Sequence, residues 1–335
     1  MASGPAIVAR DIAGETVCGL ERIDTSELPG GPILAEVLYS SLNYKDALAV
    51  CGNRGRIMKA LPFVPGIDLV ARIVESDAAS LPPGTTVVAT GWGLGERHWG
   101  ALSSFVRLQP EWVVPLPDGL SPRQAMALGT AGITAMLCVE AIEAGGAAPG
   151  SGEILITGAS GGVGSIALLL LSGLGFRPVA LTGRPEQEAW FRALGAQRVM
   201  ARAELDRDPR PLEPETWDGA IDTVGGRILA TALAQLRYGG VVSACGLAGG
   251  SSLPTTVMPF ILRGARLQGI DSVYLAAQRR PELWARLAAL VPEARLAPIT
   301  REISLAEVPA AAAVMLAGRA QGRTVVRVSD RHGPG

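Results

Sequence analysis

A chain of 335 residues, 48% hydrophobic and 18% charged, is long enough for two domains with separate cores and too apolar to be disordered. Its 30 basic and 31 acidic residues leave a formal charge of −1, which excludes a general binder of nucleic acid or anionic membrane and confines anion recognition to local sites. Residues 1–10 lack the basic start and apolar core of a signal peptide, and apolar windows such as 166–174 are too short to span a bilayer, so a cytoplasmic protein is expected.

The first β-like segment, residues 33–39, leads into Ser40-Ser41-Leu42-Asn43-Tyr44-Lys45-Asp46. Short strands follow at 69–75, 85–90 and 104–108, each fenced by Gly or Pro, which predicts a compact β-rich, barrel-like domain. Ser121 caps and Pro122 opens a helix over 123–144. From Glu153 strands and helices alternate: strands at 154–157, 178–182, 198–200, 219–223, 240–245 and 268–273, and helices that include 166–174 and 282–290. That count predicts a doubly wound parallel sheet of Rossmann type. The tail returns to β character at 297–303 and 324–328 around an alanine-rich helix, 309–316, and is expected to close the first domain. The expected organisation is therefore α/β: residues 1–122 and 297–335 form the β-rich domain, and 123–296 an inserted Rossmann domain. Cys18, Cys51, Cys138 and Cys245 have no paired spacing, which fits a reducing compartment and neither a disulfide frame nor a structural zinc site.

The strand at 154–157 passes through Gly158-Ala159-Ser160-Gly161-Gly162-Val163-Gly164 into a helix. Strand, glycine turn and helix N-terminus together present backbone N–H groups to a diphosphate. Ala159 replaces one glycine of the usual fingerprint. An ordinary tight turn is the bland alternative, and the flanking strand and helix favour the dinucleotide. After the next strand come Thr182, Gly183 and Arg184, where an NAD site normally places an acid. A guanidinium there suits a 2′-phosphate, which favours NADPH over NADH.

These features, with Val64-Pro65-Gly66-Ile67-Asp68, Thr90-Gly91-Trp92-Gly93-Leu94-Gly95-Glu96-Arg97-His98-Trp99-Gly100, Gly129-Thr130-Ala131-Gly132-Ile133-Thr134, Asp222-Thr223-Val224-Gly225 and Cys245-Gly246-Leu247, carry a resemblance. The chain resembles the medium-chain dehydrogenase/reductase superfamily, and within it the zinc-free acryloyl-CoA reductase and quinone oxidoreductase family. The first domain is then GroES-like. Zinc alcohol dehydrogenases of the superfamily place a cysteine and a histidine where this chain has Asn43 and Ile67, so no metal is expected. Only His98 and His332 are available as imidazoles.

The resemblance implies NADPH-dependent reduction of the double bond of short 2-enoyl-CoA thioesters. A quinone or enone reductase and a non-catalytic NADPH sensor are the alternatives. Tyr44 is the catalytic candidate, as donor to the enolate or as a ring packed on the nicotinamide. Asp46 is expected to brace its turn, and Lys45 to be solvated. The cofactor candidates are Tyr44, Thr130, Thr134, Ser160, Gly161, Gly162, Val163, Gly164, Thr182, Gly183, Arg184, Arg198, Leu247, Ile261 and Ser272. Those on the substrate side are Asn43, Arg54, Arg56, Trp92 and His98. Arg54, Arg56 and Lys59 are read either as contacts to CoA phosphates or as ordinary surface charge, and the 92–100 loop either as a flexible cover or as a wide barrel turn whose tryptophans anchor it to the core. A homodimer through strands around residues 265–273 is expected by the same analogy.

Overall fold

The chain opens in an antiparallel ribbon, β1 (Ser3–Ile12) and β2 (Glu15–Asp24), turned at Ala13-Gly14, where both residues take positive φ. This computed structural model describes residues 2–329, so His332 lies outside the described residues. β3 (Ile33–Leu42) is buried along almost its whole length, because strands cover both of its edges. Its polar end survives burial through hydrogen bonds: Ser40 Oγ donates to the Asp68 carbonyl at 2.8 Å and Ser41 Oγ to the Asp68 carboxylate at 2.6 Å. The short helix α1 (Tyr44–Val50) follows at once, then β4 (Asp68–Ser76), β5 (Thr86–Thr90), β6 (Phe105–Leu108) and β7 (Val113–Pro115). Ile33, Val37, Leu69, Ile73, Val87 and Leu108 alternate inward from these strands into one core. Each fully buried side chain of this size contributes about 1.5–3 kcal/mol.

Helix α2 (Pro122–Ala144) is broken at Gly129, whose φ of 52° and ψ of −153° no helix can hold. It is long and apolar enough to cross a membrane by length and composition, but 78% of its most apolar window is buried inside the fold. Its length corrects the expectation that the most apolar windows are too short, and its burial gives the helix a core role.

The second unit is a six-stranded sheet, parallel at every pairing: β8 (Glu153–Thr157), β9 (Arg177–Thr182), β10 (Arg198–Ala201), β11 (Trp217–Asp222), β12 (Leu236–Ala244) and β13 (Arg266–Gly269). The spatial order is β10-β9-β8-β11-β12-β13, so the winding reverses between β8 and β11. Ligands of such sheets bind at the carboxyl ends beside that reversal. Helices α3 (Gly162–Gly173), α4 (Glu188–Ala193), α5 (Gly226–Ala234) and α6 (Met258–Arg263) connect the strands. α3 starts four residues before the expected 166, because the glycines of the turn form its first turn.

The chain then runs through α7 (Arg279–Leu290), α8 (Glu293–Leu296), β14 (Thr300–Ser304), α9 (Val308–Leu316) and β15 (Arg323–Arg327). β15 pairs antiparallel with β3 and parallel with β14, which closes the seven-stranded sheet of the first unit. By contact density the first unit runs to Thr130 and resumes at Val273–Ala288 and from Leu296. The second is Ala131–Ser272 with Ala289–Arg295. The first break falls at the Gly129 kink and not at 122/123. Segment 273–288, expected in the Rossmann domain, belongs to the first unit.

Candidate functional site

In the second unit the glycine turn sits where β8 meets α3. Gly158 takes φ of 59°, and Gly161 caps α3. A Cβ on Gly164 would lie 2.5 Å from the Gly158 carbonyl oxygen and 2.7 Å from Ala159 Cα, so the close crossing of helix and strand demands glycine there. The first N–H groups of α3 have no carbonyl within the helix and carry the positive end of its dipole. Beneath them lies a buried polar floor. Thr157 Oγ1 donates to Asp222 Oδ1 at 2.7 Å, and the Thr223 and Gly225 N–H groups donate to Thr157 Oγ1 and Asp222 Oδ2 at 3.0 and 2.7 Å. Burial pushes the Asp222 carboxyl up from its ordinary value.

Beside the tip of β9, Thr182, Gly183, Pro185, Arg202 and Asp206 help line a cleft of about 430 Å³. Arg202 and Asp206 also line an adjoining cleft of about 320 Å³, with Gly225, Gly226 and Arg227. The Arg184 N–H is fixed on Thr182 Oγ1 at 3.1 Å. Arg198, expected here, sits at the amino end of β10. Its guanidinium is held by Glu153 Oε2 at 2.6 Å and lies over the Trp217 ring. Arg198 is therefore turned away from the cleft, which is lined instead by Arg202, just past the carboxyl end of the same strand. Asp206 is engaged by Arg202 and Arg227, each at 3.2 Å. Elsewhere in this unit Thr134 Oγ1 donates to Ser272 Oγ at 2.9 Å, while Leu247 and Ile261 are 66% and 73% exposed.

In the first unit Tyr44 opens α1 with its side chain half exposed. Asp46, wholly buried, accepts from the N–H groups of Asn43 and Ile67 at 2.8 and 3.0 Å, the bracing expected of it. Burial, reinforced by the neighbouring Asp68 carboxylate, pushes the Asp46 carboxyl up to about 7. Lys45 is not simply solvated: it pairs with Glu96 at 2.8 Å and ties α1 to the 92–100 loop. That loop is braced. The Trp92 backbone N–H donates to the Val273 carbonyl, the Gly100 N–H to the Val64 carbonyl, and the Arg280 guanidinium lies 4.9 Å from the centre of the Trp92 ring. His98 rests its ring on Trp112, 4.6 Å between centroids. Thr130 directs both its N–H and its hydroxyl to Asp68, so the hydroxyl is already committed within its own unit. Arg54 and Arg56 are exposed on a single 3₁₀ turn, and Lys59 donates to the Arg56 carbonyl.

Residues 30–118 match the alcohol dehydrogenase GroES-like domain and residues 162–289 the zinc-binding dehydrogenase family. Over 316 residues the chain is 50% identical to a probable acrylyl-CoA reductase, AcuI, of Escherichia coli K12, covering 94% of this chain and 97% of that one. It is 45% identical over 318 residues to the acrylyl-CoA reductase AcuI of Ruegeria pomeroyi, covering 95% and 96%. The crystal structure of the yhdH oxidoreductase from Salmonella enterica in complex with NADP superposes with a TM-score of 0.94 at 48% identity, covering 97% of this chain and all of that one. The chain belongs to the medium-chain dehydrogenase/reductase superfamily.

Zinc, which one of the matched family descriptions implies, does not fit this medium-chain reductase. Among the described residues no three His, Cys, Asp or Glu side chains converge on a metal-sized site. The carboxylates near Asn43 and Ile67 are those of Asp46 and Asp68, and both are filled by N–H and O–H donors. The four cysteines are free thiols. Three groups were missed in the sequence, one in the second unit and two in the first. Arg202 had a signal, since it follows the carboxyl end of its strand. Asp68 lay in a quoted motif without a role. Arg323, which reaches Asn43 from 280 residues away, had no local signal at all.

Proposed function

We propose that this protein reduces the carbon–carbon double bond of short-chain 2-enoyl-CoA thioesters, foremost acryloyl-CoA to propionyl-CoA, with NADPH and without a metal. The observation that carries this reading is the 50% identity, along nearly the whole chain, to a relative named a probable acrylyl-CoA reductase. The NADP complex of the Salmonella relative and the arginine-lined cleft past β9 and β10 support the phosphorylated cofactor.

When bound, NADPH supplies the hydride. The thioester carbonyl makes the β-carbon electrophilic, so charge arriving there moves to the enolate oxygen and needs a donor. Tyr44 supplies that donor or relays the proton to the α-carbon. Gly161, Gly162, Val163, Gly164 and the start of α3 hold the diphosphate, with Ser160 in the same turn. Arg184 and Arg202 hold the 2′-phosphate beside Thr182 and Gly183. Thr134, Leu247, Ile261 and Ser272 complete the cofactor contacts in this reading. Asn43, Trp92 and His98 stand on the substrate side, and Arg54 and Arg56 meet the CoA phosphates.

The test is NADPH consumption with acryloyl-CoA, crotonyl-CoA and a quinone. Fastest turnover of acryloyl-CoA is expected. Turnover of the quinone alone would make the protein a quinone or enone reductase, and tight NADPH binding without turnover of any of them would make it a sensor.

The proposed macromolecular partner is a second copy of the chain, in the cytoplasm. β13 is an edge strand with all four residues exposed, Leu267 among them, and Val257 and Leu262 lie exposed in the segment before it. Sedimentation should return the dimer mass, and a monomer at micromolar concentration would refute the assignment.

A further inference from the structure

Asn43 is held by three ionisable side chains that the first unit buries: Asp46, Asp68 and Arg323, 1%, 0% and 3% exposed. The Asn43 N–H donates to Asp46 Oδ2 at 2.8 Å. Its Nδ2 donates to Asp46 Oδ2 at 3.1 Å, to Asp68 Oδ2 at 2.9 Å and to Ser41 Oγ at 3.1 Å. Its Oδ1 accepts from Arg323 Nη1 at 3.0 Å. The rest of the guanidinium is also engaged, with Nε on the Ala127 carbonyl at 2.7 Å and Nη2 on Ser41 Oγ at 3.1 Å. The residue before Tyr44 is thus fixed from β3, α1, β4 and β15 at once.

The same groups set the break in α2. A Cβ on Gly129 would meet Asp68 Oδ2 at 2.5 Å and Arg323 Nη2 at 3.1 Å, and the Thr130 N–H released by the break donates to Asp68 at 2.9 Å. Buried charges of this kind add little net stability over well-packed apolar residues of the same volume. A cluster that meets this many polar atoms at hydrogen-bond distance fixes geometry.

We infer that Asp68 and Arg323 are positioning residues for Tyr44, holding the Asn43–Tyr44 peptide where the tyrosine hydroxyl meets the developing enolate. The inference rests on the role proposed for Tyr44 above. Neither side chain touches substrate in this account. Both act through Asn43.

The test joins kinetics to a readout that needs no turnover. D68N, R323K, Y44F and the double variant D68N/Y44F are compared in kcat, in KM for NADPH and in thermal unfolding. Carbon-13-labelled tyrosine spectra are taken alongside, with Y44F identifying the Tyr44 signal among the four tyrosines. D68N should lower kcat about tenfold or more with KM for NADPH nearly unchanged, and the double variant should be no slower than the slower single one. The Tyr44 signal should move in D68N and R323K, while those of Tyr238 and Tyr274 stay. Multiplying effects in the double variant, or an unmoved Tyr44 signal, would overturn the inference. Where D68N does not fold, S41A removes one donor to Asp68 and one acceptor of Arg323, and it should show the same pattern more weakly. Absence of acryloyl-CoA turnover in the wild type, or full kcat in Y44F, would instead remove the proposed reaction or the role of Tyr44. The spectra still decide whether Asp68 and Arg323 place the ring.

Discussion

Thr157 and Asp222, both fully buried at the carboxyl ends of β8 and β11, share a hydrogen bond of 2.7 Å directly beneath the glycine turn. The hydroxyl also accepts the Thr223 N–H, so a single threonine satisfies a carboxylate and a backbone donor across the reversal of the sheet. Thr157→Val keeps the shape and strands both partners away from water. The expected cost is about 2–3 kcal/mol, measured by urea denaturation, with Thr157→Ser retaining most of the stability. A loss below about 0.5 kcal/mol for the valine variant would show that the floor is not held by this hydroxyl.

Cofactor choice separates two arginines four residues apart. Arg202 lines both clefts past the carboxyl ends of the strands, whereas Arg198 is paired with Glu153 at the opposite end of β10. A charge-assisted contact to a 2′-phosphate is worth about 1.5–3 kcal/mol, so Arg202→Ala should raise the Kd for NADPH about tenfold or more. The Kd for NADH should not move, and Arg198→Ala should change neither by more than about twofold. Fluorescence titration of both cofactors against both variants checks this, and equal weakening of NADH by Arg202→Ala would remove the phosphate role.

The doubly wound sheet was legible because each of its inner strands is a short apolar run fenced by Gly or polar residues, a local signal. The ribbon β1–β2 was not legible: β2 mixes Glu15, Glu21 and Asp24 with Gly19, and its register comes from pairing with β1 along its length. The glycine turn could be found from its own residues. The end of β10 that borders the clefts could not, because that depends on strand direction within the assembled sheet. The cluster around Asn43 is legible only in part. Asp46 lies three residues away and could be read as a brace, whereas Arg323 arrives through the pairing of β15 with β3, which no local pattern specifies.

Two glycines of the nucleotide unit should respond to alanine in opposite ways. At Gly164 the added methyl meets backbone atoms that cannot step aside, whereas at Gly183 nothing lies within 4 Å and φ is not in the left-handed region. Gly164→Ala should destabilise by about 1–3 kcal/mol and weaken NADPH binding as the turn shifts. Gly183→Ala should melt with the wild type. Paired thermal unfolding curves decide it, and a Gly164→Ala protein as stable as the wild type would mean the helix can back away from the strand.

Asp46 gives the fold a pH dependence of definite sign. Its carboxyl is raised from 3.8 to about 7 in the folded chain, by burial first and by the Asp68 carboxylate second. Between those values the folded state holds a proton that the unfolded state has released, so the stabilising contribution is complete below about pH 4 and is lost as pH rises through about 7. The Arg323 guanidinium, itself lowered by burial, is the cation of the same cluster, and the Lys45–Glu96 pair lies outside it in partial contact with solvent. A shift of this size corresponds to at most about 4 kcal/mol. Asp46→Asn cannot titrate and loses one acceptor, so it should be less stable than the wild type at every pH. Its deficit should be largest below about pH 4 and should shrink as pH rises toward 8. Urea midpoints of both proteins across that range measure the deficit directly. A constant difference would mean that Asp46 stays ionised in the folded chain throughout, its charge carried by the donors of Asn43 and Ile67.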